Sequence, residues 1–544
     1  MKIYAYPWDR SSLKSMSLDL QHFKKLDAYA LKVNVRNSIE NLVSVLLREA
    51  HNDIEKVRAI WMWTCHNMEY DVDGFHDRAK VACIPADVLQ SRKSICCGYA
   101  ALFAKMCSIA GIECKKLSGY AKGYSYKIGN GFQDTNHTWN SVYLDGRWHL
   151  LDSTWGSGSV NDSCTQFICR YNEFYFLTHP ALFINDHFPK EHKWQLLKQT
   201  LTLQQFEYNL WYKSAFYSVG LVAASPNASI ISTDNGKATV LIESHSPALF
   251  QCNMNGIKGN CLIMLQRNGV RLEVYPQQTG THSLQIFAKA FKDKEANYSH
   301  VLEYSLKCSS VDKNMCLPQT LLYPVGPSWH TEENGILKAL PTSPIIHTDD
   351  GRCNVTFTRS TDLDFFVTLE SDTSIVPEDR RRHHIWKTCR EDQVELKIHL
   401  PHAGNFALHI WAKKRFDPGD HDCALSYLLS SQNKNVKWPV FPQYFTNWED
   451  GYELVEPLAG ILPSNSLTQF KLKLPGIATA WVQCGEIHPL TLSQDGFWEG
   501  ACHTSGGSQV TIGVSKSADS NVFWSLLEYK VESHEKSSYS TTSF

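Results

Sequence analysis

A strong charge of either sign is missing from this sequence. Its 53 Lys and Arg residues are balanced by 55 Asp and Glu residues, which leaves a formal net charge of -2 over 544 residues. Proteins that bind nucleic acid usually carry a clear excess of positive charge to neutralise the phosphates. Nucleic acid is therefore not an expected partner.

Long hydrophobic runs are missing as well. No stretch contains the roughly eighteen apolar residues that a membrane-spanning helix needs. Residues 1–16 lack the continuous apolar core of a signal peptide. The sequence predicts a cytoplasmic protein without a membrane span.

Cys-x-x-Cys pairs do not occur, although the chain contains 17 cysteines. An odd number of scattered cysteines in so long a chain predicts reduced thiols rather than a disulfide framework. A zinc site would have to be assembled from isolated ligands such as His179, His187 and His192, and histidines in a surface loop are the favoured interpretation instead. No metal or other cofactor is predicted.

The composition is that of a folded protein with several domains, because 43% of the residues are hydrophobic and 20% are charged. Residues 38–67 show two amphipathic helices separated by the polar turn His51–Asp53. We assign residues 1–30 to an N-terminal extension and residues 31–215 to a first, mixed domain.

The remainder of the chain reads as three tandem β-sandwiches. Short apolar alternations with Gly, Asn and Pro replace the helical periodicity, and a segment beginning at Leu221 is repeated from Leu337 and from Leu454. The offsets of 116 and 117 residues between these starts fit sandwich domains of roughly 100 residues. The predicted sandwiches span residues 216–330, 331–435 and 436–532, and the Ser/Thr-rich tail 533–544 is predicted to be disordered.

Reactive chemistry is indicated by RKSICCGYA, residues 92–100, which places two cysteines side by side. Apolar residues at helical spacing predict a helix over residues 97–110 that ends at Gly111. Cys96 then lies at the helix amino terminus, where free N–H groups and the helix dipole favour a thiolate. Cys97 is displaced by about 100 degrees around the helix, so the two thiols cannot share one role.

A base and an orienting group for that thiolate are found in NHTWNSVYLDGRWHLLDSTWG. Asp145-Gly146 between two alternating runs predicts a two-residue hairpin in which the numbers of opposed residues sum to 291. In this register His137 lies diagonal to Asp152 on one face of the sheet, while His149 points to the other face. His137 and Asp152 can therefore pair, and His149 and Asp152 cannot.

The motifs S-I-C-C-G-Y, N-H-T-W-N and W-H-L-L-D-S-T-W-G resemble the cysteine, histidine and aspartate signatures of the transglutaminase-like superfamily. The resemblance makes Cys96 the nucleophile, His137 the base and Asp152 its orienting carboxylate, with Cys97 at a variable position where it packs or is incidental. Residues 25–215 are also similar to the kyphoscoliosis peptidase family, which includes hillarin-like proteins. The implied fold is α+β, with a papain-like or transglutaminase-like cysteine catalytic domain followed by the three tandem β-sandwich domains.

The function that the resemblance implies is acyl transfer through a thioester on protein substrates, with a link to the cytoskeleton. Water as acceptor would give a cysteine protease, and an amine would give a transglutaminase-like crosslinking enzyme; the sequence leaves both open, as it does the oligomeric state. Gln90 is a candidate second donor to the oxyanion, against the alternative of a surface glutamine. Two alternatives to an enzyme are a catalytically silent scaffold whose sandwiches bind cytoskeletal partners, and a purely structural role for the three residues.

Overall fold

The computed structural model describes residues 18–293, 297–372, 378–434, 436–518 and 522–532. The first part of the predicted extension and the predicted disordered tail from residue 533 lie outside these ranges. The chain divides into two compact units, one of residues 1–233 and 280–308 and the other of residues 234–279 and 309–544. Within the described ranges, no helix combines the length and the hydropathy that crossing a membrane requires.

Two early helices of the first unit begin after residues whose side chains cap them. Ser38 and Asn52 each accept a hydrogen bond from the backbone N–H three residues later, which satisfies a donor that the helix leaves unpaired. The two helices predicted on either side of His51–Asp53 are confirmed. The helices of this unit are α1 (Lys24–Ala30), α2 (Ile39–Leu46), α3 (Asp53–Asn67), α4 (Val72–His76), α5 (Pro85–Ser91), α6 (Cys96–Ile109), α7 (Ser153–Ser157), α8 (Pro180–Phe183), α9 (Leu203–Tyr208) and α10 (Ser214–Ser218).

Helix α1 packs into the core of this unit, although the sequence places it in an extension. Leu26 and Ala30 are buried in the same hydrophobic cluster as the helices that follow. Arg58 of α3 is 2% exposed and holds Asp27 at 2.8 Å, and its other amino group pairs with Glu173. A buried guanidinium between two carboxylates fixes α1 against the rest of the unit.

A four-stranded antiparallel sheet lies against α6 and carries the hairpin. Its order is β5-β4-β3-β8, with β3 (Cys114–Ala121), β4 (His137–Leu144), β5 (Arg147–Leu151) and β8 (His187–Pro189), where strands are numbered along the whole chain. The other strands of the unit are β1 (Glu69–Tyr70), β2 (Lys93–Ser94), β6 (Gly158–Val160), β7 (Phe167–Cys169), β9 (Trp211–Tyr212), β10 (Leu221–Ser225), β11 (Ile230–Ser232), β17 (Gly280–Ala290) and β18 (Ser299–Cys308).

The second unit is built almost entirely from strands. Its first group contains β12 (Ala238–Ser244), β13 (Ala248–Met254), β14 (Ile257–Lys258), β15 (Cys261–Gln266) and β16 (Gly269–Val274). A sandwich follows with sheets β19-β21-β24-β23 and β20-β26-β25-β22, formed by β19 (Ile336–Leu340), β20 (Ile345–Thr348), β21 (Arg352–Arg359), β22 (Leu363–Glu370), β23 (Ile385–Arg390), β24 (Gln393–His399), β25 (Gly404–Lys414) and β26 (Asp422–Ser431). Helices α11 (Trp329–Glu333) and α12 (Glu378–Arg381) accompany it.

A last sandwich has sheets β28-β30-β34-β33 and β27-β36-β35-β31-β32, with β29 added beside β36. Its strands are β27 (Gln443–Tyr444), β28 (Glu453–Glu456), β29 (Ile461–Leu462), β30 (Leu467–Lys473), β31 (Thr479–Cys484), β32 (Glu486–Pro489), β33 (Thr491–Leu492), β34 (Trp498–His503), β35 (Gln509–Ser515) and β36 (Trp524–Val531). Each of the two complete sandwiches encloses one hydrophobic core that draws residues from both of its sheets.

The internal repeat has a structural counterpart in three buried tyrosines. Tyr304, Tyr427 and Tyr529 each lie in the strand that closes a repeat and donate their hydroxyl to a proline carbonyl, at 3.0, 2.8 and 3.0 Å. The accepting residues are Pro226, Pro341 and Pro457, and each follows a cis peptide bond near the start of its repeat. The same hydrogen bond thus joins the beginning and the end of all three repeats.

Candidate active site

Helix α6 begins at Cys96, one residue before the predicted start, and Cys96 lies at the helix amino terminus as predicted. The residue before it, Ile95, has no side chain that could cap the helix. No side chain of the N-cap residue therefore accepts from the N–H groups of the first helical turn. The helix start is pressed against the preceding chain at Gly98, where a Cβ atom would lie 2.0 Å from Ser94 Oγ and 2.8 Å from the carbonyl oxygen of Ala82. This close approach explains the glycine of the Cys-x-Gly motif.

The hairpin has the predicted register. Asp145 and Gly146 adopt positive φ angles of 48° and 80°, and β4 pairs with β5 so that Leu144 faces Arg147. His149 faces Val142, and it makes no hydrogen bond to Asp152 among those recorded for the described residues. The turn chemistry therefore determines which histidine approaches the carboxylate.

Asp152 lies directly after β5, where its carboxylate serves two elements. Its Oδ1 accepts hydrogen bonds from the backbone N–H groups of Thr154 and Trp155, at 2.9 and 3.2 Å, and so caps α7. Its Oδ2 lies 2.6 Å from Nε2 of His137. The predicted pairing is observed, and the helix cap fixes the direction in which the carboxylate points.

The thiol, the imidazole and the carboxylate are coupled in protonation. Burial alone would lower the pKa of His137, but the charge of Asp152 and hydrogen bonds to Asp152 and Cys96 raise it to about 10. Burial would raise the pKa of the Cys96 thiol, but the hydrogen bond and charge of His137, with a contribution from the Thr138 backbone, hold it below its ordinary value. Because Nε2 of His137 faces Asp152, Nδ1 remains for Cys96. The arrangement favours a thiolate beside an imidazolium.

A second histidine completes the cluster, and the sequence assigned it wrongly to the surface. His187 is fully buried, with Nε2 at 2.9 Å from Oδ2 of Asp152 and Nδ1 at 2.6 Å from Oδ1 of Asp186. His179 is buried too, where its Nδ1 accepts from the backbone N–H of Ala181. Only His192 of the three is exposed. The apolar residues between these histidines, such as Leu182, Phe183 and Phe188, were the available signal for burial.

Comparison with known proteins identifies the family. Residues 40–153 match the model described as transglutaminase-like superfamily, and residues 203–319 and 333–442 match the model described as KY-like, immunoglobulin-like domain. The human protein kyphoscoliosis peptidase is 50% identical over 97% of this chain and 80% of its own length, and the mouse protein of that name gives the same values. Hillarin from Drosophila melanogaster is 28% identical over 73% of this chain and 53% of its own length.

The chain belongs to the kyphoscoliosis peptidase family. The family models place a transglutaminase-like fold before immunoglobulin-like domains, as the sequence predicted. The three motif residues, Cys96, His137 and Asp152, all lie within the transglutaminase-like match or at its end.

Cys97 is neither incidental nor a reduced thiol, which corrects both expectations for this residue. It forms a disulfide with Cys83, with 5.8 Å between the Cα atoms. The remaining cysteines, Cys96 among them, are free. The bond ties the start of α6 to the chain before α5, directly beside the predicted nucleophile. Spacing alone gives no means of choosing Cys83 as the partner among so many cysteines.

Gln90, considered as an oxyanion donor, is exposed, and its amide donates to the carbonyl of Arg36 at 2.5 Å. Tyr70 lies in the neighbourhood of the thiol, since β1 and β2 pair in parallel and Tyr70 is opposite Ser94, two residues before Cys96. Burial raises the pKa of the Tyr70 phenol, and the neighbouring Cys96 raises it further. The phenol therefore keeps its proton and can donate it in a hydrogen bond.

His137, Asp152 and His187 bring three atoms that can bind a metal within 4.8 Å of one another. Their separations of 2.6 and 2.9 Å are those of hydrogen bonds. Around a tetrahedral zinc ion with bonds of about 2.0 to 2.1 Å, ligand atoms lie roughly 3.3 Å apart. The cluster is too tight for an ion at its centre and is a hydrogen-bond network.

Proposed function

We propose that the chain is a cysteine-dependent acyl-transfer enzyme that acts on proteins through a thioester on Cys96. The observation that carries this proposal is the row formed by Cys96 at the start of α6, His137 and the buried Asp152. A thiolate at a helix amino terminus, paired with an imidazolium that a carboxylate holds in place, is the arrangement of an activated nucleophile.

The first half-reaction uses groups that are already in position. The Cys96 thiolate forms a bond to the substrate carbonyl carbon, and the carbonyl electron pair moves to oxygen. The carbon–nitrogen bond then breaks while His137 gives its proton to the leaving nitrogen, so an amine departs and a thioester remains. We assign the backbone N–H of Cys96 and the phenol of Tyr70 as donors to the oxyanion.

The acceptor decides the outcome of the second half-reaction. Either water or an amine loses its proton to His137 and attacks the thioester, and the thiolate is released. Two mammalian relatives at 50% identity bear the name peptidase, so we propose hydrolysis as the main outcome. Cytoskeletal proteins are the substrate class that the family resemblance puts forward for testing.

One experiment separates the possible outcomes. The full chain is incubated with casein and a fluorescent primary amine, and both peptide release and amine incorporation are followed. We expect peptide release that falls at least about a thousand-fold in Cys96→Ala and is unchanged in Cys169→Ala, which removes an exposed free thiol. Amine incorporation without peptide release would identify a crosslinking enzyme. Absence of both, repeated with cytoskeletal proteins as substrates, would leave the scaffold alternative.

A further inference from the structure

His187 faces a carboxylate with each of its two ring nitrogens. Nε2 lies 2.9 Å from Asp152 and Nδ1 lies 2.6 Å from Asp186. A carboxylate can only accept hydrogen bonds, and a neutral imidazole has a single N–H to donate. Two such short contacts therefore require one proton more than a neutral histidine between two carboxylates contains.

The position of that additional proton follows from the other partners of the carboxylates. Oδ2 of Asp186 accepts from the hydroxyl of Tyr175 at 2.8 Å. Oδ1 of Asp152 already accepts from two backbone N–H groups, and Oδ2 already accepts from His137. Donors of this kind stabilise the ionised carboxylate. The imidazole is also the stronger base, with an ordinary pKa of about 6.5 against about 3.9 for Asp. The proton accordingly belongs to the ring.

We propose that His187 is a buried imidazolium that positions Asp152 and offsets its charge, so that the row continues from Cys96 and His137 through Asp152 to His187 and Asp186. This inference rests on the proposed function only in its consequence for catalysis. His187 is a positioning residue, because it acts on the reaction through Asp152.

The consequence concerns how tightly His137 holds its proton. The rings of His137 and His187 are 5.4 Å apart, on either side of the same carboxylate oxygen. Without the second cation, the charge of Asp152 would act on His137 alone, and His137 would release its proton to a leaving nitrogen less readily. His187 therefore keeps His137 useful as an acid.

The other groups around His187 do not replace its charge above neutral pH. Trp139, Trp155 and Phe183 surround the ring with aromatic faces and edges. Lys122 and Lys213 both interact with Asp186, but burial lowers the pKa of each to about 7. These lysines are therefore about half charged at pH 7 and largely uncharged at pH 8. Burial lowers the pKa of His187 as well, yet the charge of Asp186 and the two hydrogen bonds raise it overall.

The protonation of His187 can be observed directly by nitrogen NMR of the full chain labelled at histidine, with His187→Gln used to assign the signal. We expect both ring nitrogens to carry a proton from pH 6 to 8. Asp186→Asn, which keeps the shape but removes one anion, should shift the ring toward a single N–H in that range. A ring with one bare nitrogen in the wild-type chain would overturn the inference. Neither spectrum depends on turnover, so an inactive enzyme would contradict the proposed function and leave this result intact.

The effect of His187 on the protonation of Cys96 and His137 is measured by the rate at which iodoacetamide alkylates Cys96. This rate is followed by mass spectrometry as a function of pH. In His187→Gln the amide nitrogen takes the place of Nε2 and retains a donor to Asp152, but the cation is lost. We expect the inflection at which His137 loses its proton to move up by about one pH unit. In His187→Asn the donor faces Asp186 instead, so the rate on the plateau should fall as well.

The matched control is His192→Gln, an exposed histidine of the same segment, which should leave the profile unchanged. If His187→Gln is folded and its profile coincides with that of the wild type, His187 only fills space and the inference is wrong. If His187→Gln does not fold, Asp186→Asn supplies the test, with an expected shift in the same direction and an unchanged profile as the contradicting result.

Discussion

Gly98 determines how closely the reactive helix approaches the chain before it. In Gly98→Ala the new methyl group would overlap Ser94 and the Ala82 carbonyl, so the start of α6 has to move. We expect the free energy of unfolding to fall by about 1 to 3 kcal/mol and the alkylation of Cys96 to slow, because the thiol leaves its place beside His137.

Chemical denaturation and the alkylation rate at pH 7 check this prediction together. Lys105→Ala, at an exposed position of the same helix, should change stability by less than about 0.5 kcal/mol. Wild-type stability and reactivity in Gly98→Ala would show that the helix start accommodates a side chain and that the glycine has another explanation.

Single residues could be predicted from the sequence where their surroundings are local. Cys96 and His137 each lie in a short motif, and Asp152 is placed by the hairpin that follows. His187 is 35 residues from Asp152 in the chain, and only tertiary contacts bring the two side chains together. The partner of Cys97 could not be predicted for the same reason, because only the folded chain brings Cys83 close to it.

At the scale of elements, the hairpin was the most predictable part of the site. A two-residue Asp-Gly turn fixes which residues face each other, and the strands then carry that register to their ends. The contribution of α1 could not be predicted in this way. Its place in the core depends on Arg58 of α3, which meets Asp27 from a distant position in the sequence.

The disulfide links two elements and gives a prediction at this scale. Without a reductant, denatured protein should contain 15 reactive thiols, which is the 17 cysteines of the sequence less the two in the bond. After reduction it should contain 17. Because the bond closes a loop of 14 residues, Cys83→Ser and Cys97→Ser should each lower the free energy of unfolding by about 3 kcal/mol.

The double variant serves as the control for that prediction. Both single changes remove the same bond, so Cys83→Ser combined with Cys97→Ser should cost no more than either alone. A titration that finds all 17 thiols before reduction would contradict the bond, and additive losses of stability would mean that each cysteine contributes by packing.

At the scale of the whole molecule, the change in sequence texture near residue 215 does not coincide with an end of packing. Phe216 is fully buried, and Trp211 and Tyr212 of β9 pair with β18, more than eighty residues further along the chain. Composition reports where helices give way to strands. It does not indicate which strands contribute to a given core. Residues 280–308 belong to the same compact unit as residues 1–233.

The proposed catalysis depends on Cys96 being a thiolate that His137 stabilises. The folded pKa of His137 is raised to about 10 and that of Cys96 is lowered. The pair should therefore exist from below the ordinary cysteine pKa, about 8.5, up to about 10, and dissociate when His137 loses its proton.

The most direct measurement is the pH dependence of Cys96 alkylation in the full chain, compared with that in His137→Ala. In the wild type we expect the rate to reach a plateau below the ordinary cysteine pKa and to show a second inflection near 10, where His137 titrates. In His137→Ala the plateau should vanish and the rate should rise only above pH 8.5, because burial then opposes the thiolate without the charge and hydrogen bond of His137. A wild-type profile with one inflection at the pKa of an ordinary thiol, unchanged in His137→Ala, would contradict the account.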